Sequence, residues 1–234
     1  MSVFKFKHFT IQQSDSAMKV GTDAMILGAL IQSKDKTHGL DIGTGTGVLS
    51  LMLAQQNEIL QITAIDIDEA SVQEAKLNFE RSPWINRLTA IHNDFLSHDF
   101  EGQFDLIVSN PPYFSTTNEN ENKRKAQARH VSSLEIKPFI EKVNSLLRAS
   151  GHFWLILPYS DAAQWFFQFE ECGLTAARKI DIIGKEVNDP IRCVCELVKF
   201  SVITQNESFC IRNTDNSYSD EYKLITKEFH GTEI

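Results

Sequence analysis

Asn110-Pro111-Pro112-Tyr113-Phe114 is the stretch of this chain whose residue types most directly suggest chemistry. Successive prolines remove two backbone donors and stiffen the turn, so what remains is acceptors. The Asn110 side-chain oxygen and the Pro111 carbonyl can both accept from one NH₂ group, and Tyr113 offers a flat face to a planar ring. The tetrapeptide reads as a grip for a planar amide or an aromatic amine. Such a nitrogen is a poor nucleophile because its lone pair is delocalised. Two acceptors drawing on its hydrogens favour a pyramidal nitrogen, and alignment with an electrophile supplies the proximity term. No strong base is required, since the amine becomes acidic as its new bond forms. Taken alone, the same residues also read as a Pro-Pro turn with an incidental aromatic.

A second cluster lies upstream in Leu40-Asp41-Ile42-Gly43-Thr44-Gly45-Thr46-Gly47. Glycines at a strand-to-helix turn let backbone approach a ligand closely and present amides at a helix N-terminus. A dinucleotide fold wants G-x-G-x-x-G, yet Val48 holds the position of the third glycine, which falls one residue early at Gly47. No diphosphate is needed if the ligand is S-adenosylmethionine, whose sulfonium and ammonium groups suit a carboxylate such as Asp41. Asp66, followed by Ile67, ends the next apolar run, where a carboxylate can take both hydroxyls of a ribose. Asp94 lies past the third run and can accept from an adenine amine, with Phe95 packing on the ring. The candidate cofactor contacts from this reading are Asp41, Ile42, Gly43, Thr44, Gly45, Gly47, Asp66, Ile67, Asp94, Phe95 and Asn110. The plainer alternative is a loop of glycines with three surface acids.

These residues must be positioned by the elements between them. From about Thr37 the order is strand (39–42), helix (47–55), strand (61–66), helix (69–81) and strands at 88–92 and 104–109. That alternation predicts βαβ units around a parallel sheet, with both clusters at strand C-terminal ends, where open α/β sheets bind ligands. Ile136, Phe139, Ile140, Val143, Leu146 and Leu147 fall at the spacing of one buried helix face. Ser150-Gly151 is expected to close that helix. Phe153 to Leu157 then reads as a strand buried on both faces. A helix through Trp165, Phe166 and Phe169 ends at Gly173. Runs 174–183 and 191–200 are joined too closely for a parallel crossover, which predicts an antiparallel pair at one sheet edge. The expected fold is α/β and Rossmann-like, a seven-stranded, mostly parallel sheet with the last strand antiparallel and helices on both faces. Residues 1–36 form an N-terminal extension with a helix over 22–31, residues 37–200 the main domain, and residues 201–234 a C-terminal extension with a helix within 218–229.

With 42% hydrophobic and 23% charged residues among 234, the composition excludes disordered, collagen-like and disulfide-scaffold classes. No apolar run has the roughly 20 residues of a membrane span, and the first residues lack a signal peptide's apolar block, so a cytosolic location is expected. Cys172, Cys193, Cys195 and Cys210 have no zinc-type spacing and read as reduced structural thiols, with Cys193 and Cys195 on one strand face. A net charge of −8 argues mildly against a broad nucleic-acid surface. A local basic patch is still available in Lys123, Arg124, Lys125 and Arg129, after the polar run 116–122 that carries Glu119 and Glu121. On charge alone that stretch also reads as a solvated loop.

Over about Thr37 to Phe200 these features resemble the class I S-adenosylmethionine-dependent methyltransferases, and Asn110-Pro111-Pro112-Tyr113 resembles their amino-methyltransferase signature. Members with this tetrapeptide methylate exocyclic amines of adenine in DNA or RNA or of guanine in ribosomal RNA, or a glutamine amide in release factors. The flanks narrow the choice. Phe9 to Gln13, Met18-Lys19-Val20-Gly21-Thr22-Asp23-Ala24 and the tail Tyr218 to Phe229 are similar to the bacterial tRNA1(Val) adenosine-37 N6-methyltransferases. This resemblance implies that the Lys19 to Asp23 segment closes over the cofactor, with Lys19 or Thr22 near its methionine end. The same segment read plainly is a helix start capped by Thr22 or Asp23. It implies an unpaired adenosine in the anticodon loop of a tRNA as substrate, cheaper to extrude than one in a duplex. Lys123 to Arg129 would then hold phosphates beside it. A monomer or weak homodimer with no membrane partner is expected. The competing enzyme reading is glutamine methylation of a protein, against which stand the few residues before the first core strand. A competing class is a cofactor-binding RNA module without catalysis.

Overall fold

The computed structural model describes residues 2–13, 20–111 and 133–231. The chain opens with an antiparallel hairpin, β1 (Ser2–Lys5) and β2 (Thr10–Gln13), followed by α1 (Thr22–Leu30). Alternation then sets in: β3 (His38–Ile42), α2 (Val48–Gln56), β4 (Gln61–Asp66), α3 (Glu69–Glu80), β5 (Leu88–His92) and β6 (Phe104–Ser109). Next come α4 (Ser133–Leu146), β7 (Leu147–Pro158), α5 (Tyr159–Glu171), β8 (Thr175–Lys185), β9 (Pro190–Val198), β10 (Gln205–Arg212) and α6 (Asp220–Thr226).

The main sheet has eight strands in the order β10-β8-β9-β7-β6-β3-β4-β5. Only β9 is antiparallel, pairing so with both β7 and β8. The expected six parallel strands and one reversed are therefore present, and the correction concerns the edge. β10 adds an eighth strand parallel to β8, so the β8–β9 pair is internal and Gln205–Arg212 of the C-terminal extension belong to the same sheet. Polar residues at 205–208 hid this strand from a reading based on apolar runs.

Strand alternation divides the core into two layers. Trp154 and Ile156 of β7 face the cluster that α1, α2 and α3 cover with Leu27, Met52 and Phe79. Phe153, Leu155 and Leu157 face the opposite cluster, closed by Ile140 and Val143 of α4 and Trp165 and Phe169 of α5. All five β7 residues are fully buried, as their continuous apolarity predicts. Truncating one of the large ones, Trp154→Ala, removes packing on the order of 3–5 kcal/mol.

Ser150-Gly151 does not close α4. The helix stops at Leu146 and the backbone enters β7 at once, with a bulge where Phe104 pairs Leu147 but Leu106 pairs His152. A Cβ on Gly151 would lie 2.8 Å from Leu147 Cδ1, so glycine serves close packing inside the bulge. The two ends of the chain meet beside α2: Lys7 N donates to Phe229 O, and Gln55 Nε2 to Glu228 O.

β4 and β5 are added on one side of β3, whereas β6 is added on the other. This reversal between β3 and β6 opens the crevice in which such sheets hold ligands. Both sequence clusters flank it, because Ile42 at the end of β3 is paired with Ser109 at the end of β6.

Candidate active site

The glycine loop leaves β3 through three left-handed residues, Gly43 (φ 71°), Gly45 (φ 56°) and Gly47 (φ 81°). A side chain at any of them would be strained. Their surroundings differ. Gly47 is pressed against α3, where a Cβ would lie 2.5 Å from Phe79, while nothing stands within 4 Å of a Cβ on Gly43 or Gly45. The first two glycines thus leave an open floor and the third lets α2 start close to α3. Gly43 N and Thr44 N donate to Ile65 O at 2.9 and 3.2 Å, tying the loop to β4.

Two carboxylates fix the loop from below. Asp41 is fully buried, and its Oδ2 accepts from Thr44 Oγ1 and Ser50 Oγ, each at 2.7 Å. Its Oδ1 has no partner among the described residues. Burial pushes this carboxyl up to about 6, against the two hydroxyls and with the help of the Asp66 charge. Asp66 accepts from Gly45 N at 2.8 Å and Asp68 N at 2.9 Å, and burial raises its carboxyl too. Ile67 beyond it is 58% exposed, an apolar side chain left at the crevice rim. Ile42 instead sits in the core and offers the site only its backbone.

Past β5, Asp94 Oδ1 accepts from Leu96 N at 2.9 Å in a tight turn that Lys142 braces by donating to Leu96 O and His98 O. The Phe95 ring is buried against Phe139 and Phe100, with Lys142 Nζ 5.6 Å from its centroid, so most of its surface packs into the core.

At the end of β6, Ser109 is buried and its Oγ donates to Ile42 O at 2.9 Å, a side-chain clasp between the two strand ends. Asn110 follows, its Oδ1 enclosed and without a partner among the described residues, and then buried Pro111. The structure therefore brings together Asp41, the glycine loop and Asn110. Pro112, Tyr113, Lys123, Arg124, Lys125, Arg129 and Lys19 lie outside the described residues.

The N-terminal extension is joined to the loop through a residue that motif reading missed. Asn78 of α3 is buried; it accepts from Gln12 N at 2.8 Å and donates to Gln12 O at 3.0 Å and Thr46 O at 2.9 Å. One asparagine thus pairs with β2 as a strand would and clamps the glycine loop. The expected side-chain cap on α1 is absent: Gly21 is the N-cap, and Thr22 is exposed. The Asp23 carboxylate accepts from Arg192 Nε of β9 at 3.0 Å, which ties α1 to the far side of the crevice.

Two enclosed oxygens, on Asp41 and Asn110, and a glycine floor with open space above it suit a small ligand with donor groups between β3 and β6. Among the described residues no cluster of three metal-ligating side chains occurs, and no helix is long and apolar enough to cross a membrane. Residues 14–169 match the methyltransferase small domain family. Over 234 residues the chain is 36% identical to a tRNA1(Val) (adenine(37)-N6)-methyltransferase of Flavobacteriaceae bacterium (strain 3519-10), covering 100% of both. It is 38% identical to the protein of that name from Bacteroides thetaiotaomicron, covering 97% of this chain and 96% of the other. Among solved structures, a predicted O-methyltransferase from Agrobacterium tumefaciens superimposes with TM-score 0.68 at 15% identity over 88% of this chain and 96% of that one. The glycopeptide N-methyltransferase MtfA gives 0.58 at 12% identity over 75% and 90%. With a glycine loop and buried carboxylates at the strand ends of a methyltransferase fold, a family match over residues 14–169 and full-length identity above one third, this chain belongs to the tRNA1(Val) (adenine(37)-N6)-methyltransferase family.

Proposed function

We propose that this protein methylates the N6 amine of an adenosine in tRNA, adenosine 37 of tRNA1(Val), with S-adenosylmethionine as methyl donor. The observation that carries the reading is the pairing of Ile42 with Ser109, which sets the unpartnered Asn110 oxygen beside the glycine floor. The names of the full-length relatives support the substrate.

S-adenosylmethionine fits the residues present: Asp41 for its cationic end, the amides and open floor of Gly43 to Gly45 for its middle, Asp66 for ribose hydroxyls, and Ile67 and Asp94 for adenine. Thr22, Asp23 and Lys19 would close the N-terminal side. When bound, it supplies an electrophilic methyl on a sulfonium sulfur. The protein's own work is on the acceptor. Asn110 Oδ1 and the Pro111 carbonyl take the two amine hydrogens, which withdraws the nitrogen lone pair from the ring and points it at the methyl. Pro112 keeps the turn stiff and Tyr113 stacks on the base. The nitrogen's bond to the methyl would form as the methyl–sulfur bond breaks, S-adenosylhomocysteine would leave as a neutral thioether, and the proton then shed by the nitrogen would pass to solvent, so a neutral acceptor suffices in place of a base. Lys123, Arg124, Lys125 and Arg129 hold neighbouring phosphates, and the protein works in the cytoplasm as a monomer or weak homodimer. Neutralising those four cations should lower tRNA affinity and flatten its salt dependence; unchanged values would remove them from the interface.

The direct test transfers labelled methyl to total tRNA from cells lacking this protein, followed by nucleoside analysis. Label in N6-methyladenosine that disappears with Asn110→Ala, while S-adenosylmethionine still binds, is the expected result. Label in ribosomal RNA, DNA or a protein glutamine instead would overturn the substrate, and full biological function in Asn110→Ala would favour a binding module.

A further inference from the structure

On the side of the crevice that holds Asn110 the sheet continues through β7, β9 and β8, and a partly exposed aromatic residue follows the end of β7. Tyr159 opens α5 directly after Pro158 and is 39% exposed. Its hydroxyl has no hydrogen bond among the described residues. Leu155 is the partner of Ser109, so Tyr159 stands three residues further along the strand direction than Asn110, on the order of 10 Å. That places its backbone at the crevice end of the sheet, one strand over from Asn110, with its ring directed toward β8.

The ring is held rather than loose. Lys179 of β8 sits with Nζ 5.7 Å from the Tyr159 centroid and 5.8 Å from that of Phe166, so one cation spans both rings. Lys179 pairs with Cys195, whose side chain faces the α5 side of the sheet, and forms an ion pair with Asp181 at 3.6 Å. Ile191, 44% exposed at the start of β9, extends the apolar rim on the same face. An exposed aromatic braced by a cation at the mouth of a nucleotide-acceptor site is a surface for a planar, electron-rich ring beside an anionic backbone.

We propose that Tyr159, backed by Lys179, is a stacking platform for an unpaired base next to the target adenosine in the RNA loop. The inference rests on the tRNA reading above and adds an RNA contact outside the amine grip. Extruding the target leaves its neighbour without a stacking partner, and a fixed ring one nucleotide away supplies one. An aromatic of any sequence context serves, because every base has a face to stack.

The test measures kcat and KM for tRNA, the Kd for S-adenosylmethionine and the thermal midpoint in wild type, Tyr159→Phe and Tyr159→Ala. Expected for Tyr159→Ala is a rise in KM for tRNA of about tenfold or more, with kcat within about twofold and cofactor affinity and thermal midpoint unchanged. Tyr159→Phe should behave as wild type, since the ring alone does the stacking. An unchanged KM in Tyr159→Ala, with wild type active on tRNA, overturns the platform and leaves the proposed function standing. Parallel loss of thermal midpoint and cofactor affinity would assign Tyr159 to α5 packing and also overturn it. A wild type that methylates no tRNA overturns both.

Discussion

Asp41 and Asp105 are carboxylates of the same central strand pair, one at each end of the crossing of β3 and β6, and their environments are opposite. Asp105, at the end away from the crevice, takes Thr37 N at 3.0 Å, Thr37 Oγ1 at 2.7 Å, His38 N at 2.9 Å and Arg148 Nη1 at 3.1 Å. Burial alone would raise its carboxyl, but those hydrogen bonds and the Arg148 charge hold it below the usual range. Asp41 has two hydroxyls on one oxygen and nothing described on the other, and it rises to about 6. One end of the sheet spends its carboxylate on folding, while the other keeps one under-satisfied where a cationic ligand would complete it.

The largest effect expected from breaking this contrast is on stability at the Asp105 end. Asp105→Ala leaves two backbone amides, a hydroxyl and a half-exposed guanidinium without their acceptor, a loss of about 3 kcal/mol in denaturant unfolding. Cofactor affinity of the folded fraction should not change. A Kd shifted as much as the stability would show that the two ends are one cooperative unit.

At the other end Asp41→Asn should lower S-adenosylmethionine affinity by about tenfold to a hundredfold while unfolding free energy stays level or rises by about 1 kcal/mol. The sign follows from linkage. The folded state holds the Asp41 proton more tightly than the unfolded state, so between pH 3.8 and about 6 this residue makes stability fall as pH rises. Asp105 does the reverse: its contribution is present above pH 3.8 and is lost as pH falls through its lower folded value. Calorimetric titration should show S-adenosylmethionine affinity falling below about pH 6 in wild type, and a flatter profile in Asp41→Asn. A destabilised Asp41→Asn with unchanged affinity would make this carboxylate a loop clasp only.

The difference between the ends also explains what the sequence made legible. The glycine loop, Asp41, Asp66 and Asn110 lie in short continuous segments at strand ends, so spacing was enough to anticipate where the fold puts them. Asn78 and Asp105 act on Gln12, Thr46, Thr37 and Arg148, which no local pattern connects to them. The packing of Phe95 against Phe139 is likewise a contact between distant segments that no local pattern shows. β10 escaped because a polar edge strand lacks the apolar signature of an internal one. Local backbone chemistry could be read from sequence, whereas side chains that tie distant segments needed the fold.

Ser109 joins the two halves of the crevice and sets the smallest of these effects. Its hydroxyl donates to Ile42 O from a fully buried position, alongside the strand pairing of the same two residues. Ser109→Ala removes one neutral hydrogen bond, about 1 kcal/mol, and leaves the ladder to hold both strand ends. If the clasp only stabilises, unfolding free energy drops by that amount and kcat is unaffected. If it also keeps Asn110 in line with the glycine floor, kcat falls severalfold while KM for tRNA and Kd for S-adenosylmethionine stay constant, since misalignment weakens only the transition state. Ser109→Thr keeps the hydroxyl and should restore kcat where the added methyl fits between Ile42 and Leu155; a kcat equal to wild type in Ser109→Ala would confine the link between the halves to backbone pairing.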